Sequence, residues 1–441
     1  MKLSICHSFL LLAATAATVA NASVPELSSV TMTQDGITRL VTVTYELANA
    51  PAVVTLDIET NCVVNGETVW ASIGGAAVSN ARGDVWRFVA GDGTHAITWR
   101  PDLSWPDHKI ANGGARAVVT AWAADNTPDY MVVDVSSAAE PTTQRYYPAA
   151  DFVPGGVQDG AYKTSLLLLR KIMAKDITWI MGSTEAESAR TPAREGTHTV
   201  TLDANYYIGV FEITQSQWGE IAPNSGVTSH FTVEGSMRPV DNVCYNELRM
   251  APVGTTTAAP GAAEWPASPH AGSFLDLLRS KTGLDFDLPS ESQWEYAARS
   301  GHGSGYWGNG EPIQNDNSDE NLDLFGRYRG NVVSSGSGAT LPPSEGGTAV
   351  VGSYGPNAWG LYDMAGNVFE LCLDWYAADI SALGGAVNTV AGTSRIRRGG
   401  AWTHWAGLSR PADRRDCSPD TRAPSGSFNT GFRVVCTAGL L

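Results

Sequence analysis

The stretch from Asn357 to Tyr376, NAWGLYDMAGNVFELCLDWY, combines acids, aromatic side chains and glycines. Asp363 and Glu370 flank Gly366, and the backbone carbonyl of Val368 lies between them. Carboxylates and carbonyls are the hard oxygen donors that calcium prefers in proteins. The spacing therefore indicates a calcium site. In the alternative interpretation, Glu370 pairs with an arginine and Asp363 caps a turn, as ordinary carboxylates often do.

A second group of residues could bind an organic ligand. Trp402, His404 and Trp405 could line a pocket for a peptide or sugar, since aromatic side chains with polar neighbours suit such ligands. Arg410 belongs to a basic cluster between residues 395 and 422 that could hold an anionic ligand. The alternatives are that a tryptophan packs in the core and that the arginines pair with interleaved acids. Those acids are Asp413, Asp416 and Asp420.

The composition sets the frame in which these residues must be positioned. The chain has 441 residues, of which 43% are hydrophobic, and it contains 46 glycines and 23 prolines. This length predicts two domains, and the glycines and prolines predict many turns and short strands. A formal charge of −16 argues against a surface for nucleic acid or anionic membrane, because those partners are bound through lysine and arginine.

The first residues are typical of a secretory signal peptide. Lys2 precedes an apolar run over residues 9–19, and Ala20-Asn21-Ala22 supplies the small residues of a cleavage site. The sequence thus predicts a signal peptide over residues 1–22 and a secreted or periplasmic protein. No later segment is apolar for long enough to span a membrane, so no membrane span is expected.

Disulfides are chemically possible in an exported protein. Five of the six cysteines follow the predicted signal peptide: Cys62, Cys244, Cys372, Cys417 and Cys436. Any bridges are expected among the last four, which allow three connectivities. An alternative is that these cysteines are simply small buried residues. The absence of C-x-x-C spacing in the sequence argues against zinc.

The expected fold class is α+β, with a β-sandwich at residues 23–136 and a loop-rich second domain at 165–441. Alternation such as Val41, Val43 and Tyr45 with threonines is typical of half-buried strands. A linker is expected at 137–164, where serine, alanine, proline and glycine are frequent. In the second domain, Thr214 and Ser290 are good N-caps for two helices.

Several motifs in the second domain resemble those of the formylglycine-generating enzyme family, also called the sulfatase-modifying factor family. In chain order they are WIMGS, VFEITQSQW, RPVDNV, LPSESQWEYAARSG, YWGNG, GPNAWGLYDMAGNVFELCLDWY, RRGGAW and NTGFRVV. The resemblance covers residues 165–437 and implies a C-type-lectin-like fold with much loop. Phe369 and Leu371 depart from it, because the family has tryptophans at these positions.

The resemblance also implies calcium sites. The first falls on Asp363, Gly366, Val368 and Glu370. A second family site matches best at Asn331 and the carbonyl of Val332, although the loop that follows is glycine-rich and its expected aspartate is not evident.

Enzymatic members of the family oxidise a sulfatase cysteine to formylglycine with molecular oxygen and one copper(I) ion held by two cysteines. Here His404 stands at the first cysteine position and Ser409 at the second, and Cys417 lies too far along the chain to replace either. Soft thiolates select copper(I), so copper is not expected.

The sequence therefore predicts a non-catalytic, calcium-stabilised binding or structural module with a peptide, protein or carbohydrate ligand. The alternative is an oxygen-dependent oxidoreductase with ligands other than cysteine, related to formylglycine-generating enzyme or to the non-haem iron sulfoxide synthases, since histidine suits iron.

Overall fold

The computed structural model describes residues 24–111, 113–136, 144–232, 235–259, 264–332, 347–422 and 428–437. The predicted signal peptide at residues 1–22 lies outside this part of the chain. Within it, every helix is too short or too polar to cross a membrane.

The N-terminal part consists of two antiparallel sheets. Its elements are β1 (Glu26–Gln34), β2 (Val41–Ala48), β3 (Ala52–Val64), β4 (Glu67–Ser72), β5 (Arg82–Gly83), β6 (Arg87–Val89), β7 (Gly93–Trp99), α1 (Pro101–Ser104) and β8 (Ala115–Ala123). One sheet has the order β1-β2-β7-β5, and the other has the order β4-β3-β6 with β8 also paired to β3. In β2, Val41, Val43 and Tyr45 are buried and the threonines between them are half-buried, so the predicted alternation is confirmed. Both sheets contribute to one hydrophobic cluster.

Short strands and three further helices form the rest of the chain. They are β9 (Tyr130–Asp134), β10 (Gln144–Tyr147), β11 (Leu166–Ile172), β12 (Thr178–Met181), β13 (His198–Thr201), β14 (Tyr206–Gly209), α2 (Gln215–Ile221), α3 (Phe274–Thr282), β15 (Phe286–Asp287), α4 (Glu291–Arg299), β16 (Phe369–Trp375), β17 (Arg395–Arg398), β18 (Arg415–Cys417), β19 (Thr430–Gly431) and β20 (Val435–Thr437). Helices and antiparallel sheets are thus mixed, which makes the fold class α+β as predicted.

A six-stranded sheet crosses the predicted domain boundary. Its order is β10-β9-β11-β14-β20-β15, so β9, which was expected in the first domain, pairs with β11 of the second. Residues 144–147, expected in a linker, form β10 against β9. Tyr146 and Tyr147 are buried there, and burying these two aromatic side chains stabilises a strand where the surrounding composition predicted none. Residues 137–143 lie outside the described part.

Two of the helices begin as predicted. Thr214 and Ser290 each form a capping box. The hydroxyl of the cap residue accepts from the backbone N–H of the glutamine three residues on, Gln217 or Gln293, and the side chain of that glutamine accepts from the backbone N–H of the cap residue. Helix α4 buries Trp294, Ala297 and Ala298 on one face. This face packs in the same hydrophobic cluster as parts of β14, β16 and β17.

Of the candidate residues, Glu370 lies on β16 of a four-stranded sheet with the order β18-β17-β16-β19. Strand β16 is buried along its whole length. It pairs antiparallel with β17 and parallel with β19, which sets Glu370 opposite Arg398 and Phe369 opposite Thr430.

Candidate functional site

Glu370 pairs with an arginine in the interior. Both side chains are buried, and Arg433 donates from Nη2 to Oε1 and from Nε to Oε2, each at 2.6 Å. Trp294 Nε1 donates to Oε2 at 2.7 Å. This bidentate ion pair is the alternative interpretation of Glu370 from the sequence, and it occupies both carboxylate oxygens.

Asp363 lies close to this pair, and its carboxylate has fewer hydrogen-bond partners than that of Glu370. Its Oδ2 accepts from the backbone N–H of Gly352 at 2.7 Å, whereas its buried Oδ1 has no hydrogen-bond partner. Burial raises the pKa of Asp363 to about 6, and the neighbouring charge of Glu370 adds to the increase. Burial also raises the pKa of Glu212, which accepts from Val368 N and Asn367 Nδ2. Arg433 thus lies among three buried carboxylates.

These residues do not fit a calcium ion bound by Glu370. Calcium needs several free oxygen donors, and of the two carboxylates only Oδ1 of Asp363 is free. Gly366 has a φ of 88°, and a Cβ there would collide with the Arg327 carbonyl oxygen, so this glycine forms a tight turn. Within the described ranges, histidine, cysteine and acidic side chains form no cluster of three or more that could hold a metal ion. Calcium at this loop stays a prediction.

At the second predicted calcium site, the side chain of Asn331 closes a local turn. Its Oδ1 accepts from Tyr328 N at 3.0 Å, and its Nδ2 donates to the Gly326 carbonyl at 2.8 Å. Arg327 Nη1 donates to the Asn331 carbonyl. Val332 is half-buried and precedes residues 333–346, which lie outside the described part. This site also stays a prediction.

His404 and Ser409 are the residues that the sequence resemblance sets at the positions of the family's two cysteines. The imidazole of His404 packs edge-on against Phe369 with ring centroids 4.7 Å apart, and its Nδ1 lies 2.8 Å from the hydroxyl of Thr403. Burial lowers the pKa of His404 to about 4, and nearby arginines, first Arg397, lower it further, so the ring is neutral at pH 7. The hydroxyl of Ser409 is buried and has no hydrogen-bond partner.

Trp402 and Trp405 do line a common pocket. A cavity of about 560 Å³ is bounded by Arg329, Val332, Trp402, Thr403 and Trp405, which we call the aromatic surface. Trp405 is 39% exposed, and the guanidinium of Arg329 lies 4.4 Å from its ring centroid. Trp402 is half-buried and meets the ring of Phe231 at right angles. Of the four proposed ligand-binding residues, these two tryptophans lie on this surface.

Arg410 lies elsewhere. It is buried, with Nη1 at 2.5 Å from Glu187 and 2.9 Å from Glu195, and its Nε donates to the Gly407 carbonyl. Most arginines of the basic cluster are paired in the same way, chiefly with glutamates far away in the chain rather than with interleaved aspartates. The other pairs are Arg395 with Glu264, Arg398 with Glu295, Arg414 with Glu291, Arg415 with Asp413 and Arg422 with Glu247. The arrangement of Arg410 makes it a structural residue.

The five described cysteines are free thiols. Cys244, Cys372 and Cys436 are buried, Cys417 is half-buried and Cys62 is exposed. Burial raises the pKa of Cys244 and of Cys436 to about 12 and that of Cys417 to about 11. The expected bridges among the last four cysteines are therefore absent from the described residues, in agreement with the alternative of small buried side chains.

Comparison with known proteins gives the family. The model of the sulfatase-modifying factor enzyme 1-like domain matches residues 170–438. The chain belongs to this family. It is 33% identical over 180 residues to a formylglycine-generating enzyme of Thermomonospora curvata, which covers 37% of this chain and 53% of that protein. It is 36% identical over 164 residues to a formylglycine-generating enzyme of Streptomyces coelicolor, which covers 35% and 47%. The matches thus span about half the length of these members of the sulfatase-modifying factor family.

Among solved structures, the chain is similar to PvdO from Pseudomonas aeruginosa, with a TM-score of 0.46 and 22% identity over 62% of this chain and 94% of PvdO.

The contacts that the sequence did not predict in this sulfatase-modifying factor domain are those of Glu212, Trp294 and Arg433 around Glu370. All three residues lie in motifs on which the family resemblance rests, so the motifs could have indicated that they matter. Nothing in the sequence indicated that they contact Glu370.

Proposed function

We propose that this chain is an exported, non-catalytic member of the family that binds a polypeptide ligand on its aromatic surface. One observation carries the non-catalytic part: the two positions at which the family has copper-binding cysteines hold His404 and Ser409. An imidazole and a buried hydroxyl do not replace a pair of thiolates for copper(I). Nor do the described thiols offer a substitute in the same loop, since Cys417 lies on β18.

A polypeptide ligand is favoured by the chemistry of the aromatic surface. Tryptophan and arginine are the residue types most enriched where protein interfaces gain their binding energy. Trp405 and Arg329 are stacked and exposed, and Trp402 supplies a second indole in the same pocket. The local cation favours a segment with a carboxylate close to its anchoring residue, even though the whole chain carries a charge of −16.

The rest of the fold would act as a scaffold for the aromatic surface. We propose that the two N-terminal sheets form a sandwich that spaces the binding domain, and that the second domain is lectin-like. Their shared hydrophobic cluster supports the sandwich. Export rests on the signal-peptide pattern at residues 1–22.

The first experiment tests the loss of catalysis. The purified chain is incubated with a sulfatase-type peptide that contains one cysteine, in air and with copper(I), and the peptide mass is measured. We expect no aldehyde, and no stoichiometric copper or iron by elemental analysis. Conversion of the cysteine to an aldehyde would overturn the proposal. Stoichiometric iron or copper that is lost in His404→Ala would favour the oxidoreductase alternative.

The second experiment tests the ligand. Peptides from a random display library are selected on the wild-type chain, and their affinities are compared with those for Trp405→Ala. The matched control is Trp70→Ala, because Arg116 lies 4.5 Å from the Trp70 ring centroid in the same kind of stack on β4. Losing an interface anchor is expected to cost roughly 2 kcal/mol or more. Equal affinity for all three proteins, or a library that yields no binding peptide, would refute the proposed ligand.

A further inference from the structure

Another cavity, of about 220 Å³, lies beside the paired residues Leu371 of β16 and Arg397 of β17. Its apolar wall consists of Val243, Cys244 and Leu371, each of which is at most 1% exposed. Arg397 also lines it, and exposed Ser418 marks its outer side. None of the residues that define the aromatic surface lines this cavity. We call it the Arg397 pocket.

Arg397 differs from the other arginines of the basic cluster. In the described chain between residues 395 and 422 the other six each form an ion pair with a carboxylate, whereas no carboxylate lies within ion-pair distance of Arg397. Its Nη1 donates to the Thr430 hydroxyl at 3.2 Å, and its guanidinium lies 4.2 Å from the ring centroid of Phe369. Its Nε is buried and has no hydrogen-bond partner. A guanidinium with donors to spare, half-buried at a cavity wall, is a site for an anion.

The other charged groups at the cavity leave a single positive charge. Arg422 also lines it, but its guanidinium is held in two contacts by Glu247, so that pair is neutral. The thiols of Cys244 and Cys417 have raised pKa values because they are buried, and they are neutral at pH 7. Asp413 and Asp416 act on Arg397 only over longer distances.

The size and wall of the cavity define the rest of the ligand. A water molecule occupies roughly 30 Å³ of liquid, so the cavity holds a small molecule and not a chain segment with large side chains. Val243, Cys244 and Leu371 make part of the wall apolar, which favours a short hydrocarbon body. The resemblance to the family implies a tryptophan at the position of Leu371, and the smaller leucine side chain lines this cavity.

We propose that the Arg397 pocket binds a small organic monocarboxylate, with the carboxylate on Arg397 and a short apolar body against Val243, Cys244 and Leu371. The carboxylate supplies the acceptors that Arg397 lacks, and the body covers the apolar wall. The ligand is either a free acid or the carboxylate at the end of a peptide. This site is separate from the aromatic surface and does not depend on the proposed function of that surface.

Binding is measured by saturation-transfer NMR on the full chain with three probes. Butyrate represents a free acid, N-acetylvaline represents a peptide terminus, and butyramide is the uncharged match of butyrate. We expect one or both acids to bind and butyramide to bind at least about tenfold more weakly, since hydrogen bonds to charged groups are the stronger ones. Binding of N-acetylvaline without butyrate identifies a peptide terminus as the source. Equal binding of butyrate and butyramide, or no binding of either acid, overturns the proposal.

Two variants address the pocket by different means, and each is first checked for an unchanged circular dichroism spectrum. Arg397→Gln removes the charge and is expected to abolish the preference for the acid over the amide. Leu371→Trp keeps the charge of Arg397 and fills the cavity with a larger side chain, so it is expected to block the binding of butyrate and of butyramide. Arg116→Gln, which removes an exposed cation stacked on Trp70 and lies outside both sites, is the matched control and should bind as the wild type does. Unchanged binding in Leu371→Trp, or loss of binding in Arg116→Gln, would contradict the assignment, and either pocket variant suffices if the other does not fold.

Discussion

The buried ion pair between Glu370 and Arg433 leads to a prediction about stability. Glu370→Gln keeps the shape of the side chain but turns one acceptor into a donor that faces Arg433 at a 2.6 Å contact. Arg433 then keeps its charge in the interior without its main counter-ion. Breaking one partner of a buried pair costs about 3–5 kcal/mol. For a domain of this size the midpoint of thermal unfolding should fall by roughly 6 °C or more.

The assay is thermal unfolding followed by circular dichroism, with Glu185→Gln as the control, because Glu185 is an exposed glutamate on a loop. Each protein is measured in calcium and in a calcium chelator. If Glu370 pairs with Arg433, the variant is destabilised equally in both solutions and the wild type does not respond to the chelator. A wild type that loses several degrees in the chelator, with a variant that does not respond to it, would refute the ion-pair reasoning and support the predicted calcium site.

Three more substitutions follow from buried groups. Because the pKa of Asp363 is raised from 3.8 to about 6, its contribution to stability is full below pH 3.8 and is lost as the pH rises through 6, by about 3 kcal/mol. Urea unfolding of the wild type and Asp363→Asn, both in chelator, should therefore differ in slope over this pH range. Arg410→Met strands two buried glutamates and should cost about 3–5 kcal/mol in urea unfolding, and a change below about 1 kcal/mol would show that these contacts are not structural. Gly366→Ala forces a Cβ into a backbone carbonyl at φ 88° and should cost more than about 1 kcal/mol, whereas Gly303→Ala, with open space around its Cβ, should be neutral by the same thermal assay.

Local structure could be predicted from the sequence because its causes are local. The hydroxyl of Ser290 and the side chain of Gln293, three residues on, determine where α4 begins. The period of two in β2 likewise reflects one buried and one open face. The family motifs also indicated a resemblance over residues 165–437, and the family model matches residues 170–438.

The contacts at the candidate site could not be predicted in this way, because each depends on a choice among distant partners. Arg410 pairs with Glu187, which lies 223 positions away, although Asp413 is three residues away. Glu370 pairs with Arg433 across 63 positions. In an acidic chain with 45 carboxylates and 29 basic side chains, the sequence does not say which pair is buried together. The tertiary fold decides this, because a buried charge needs a partner in reach.

The sheet that contains β9 shows that the boundary of the family match differs from the boundary of the folded sheet. The match to the family model begins at Arg170, in the middle of β11, and this position is the inherited boundary. The unit that can fold begins earlier, because β9 covers the edge of β11 from Leu166 to Arg170. A fragment that begins at Arg170 would lack residues 166–169 of β11 and the whole of β9, so the remaining edge of the sheet would be open to other chains, and such edges promote aggregation. The two halves of the protein are therefore joined by the hydrogen bonds between β9 and β11 as well as by the chain.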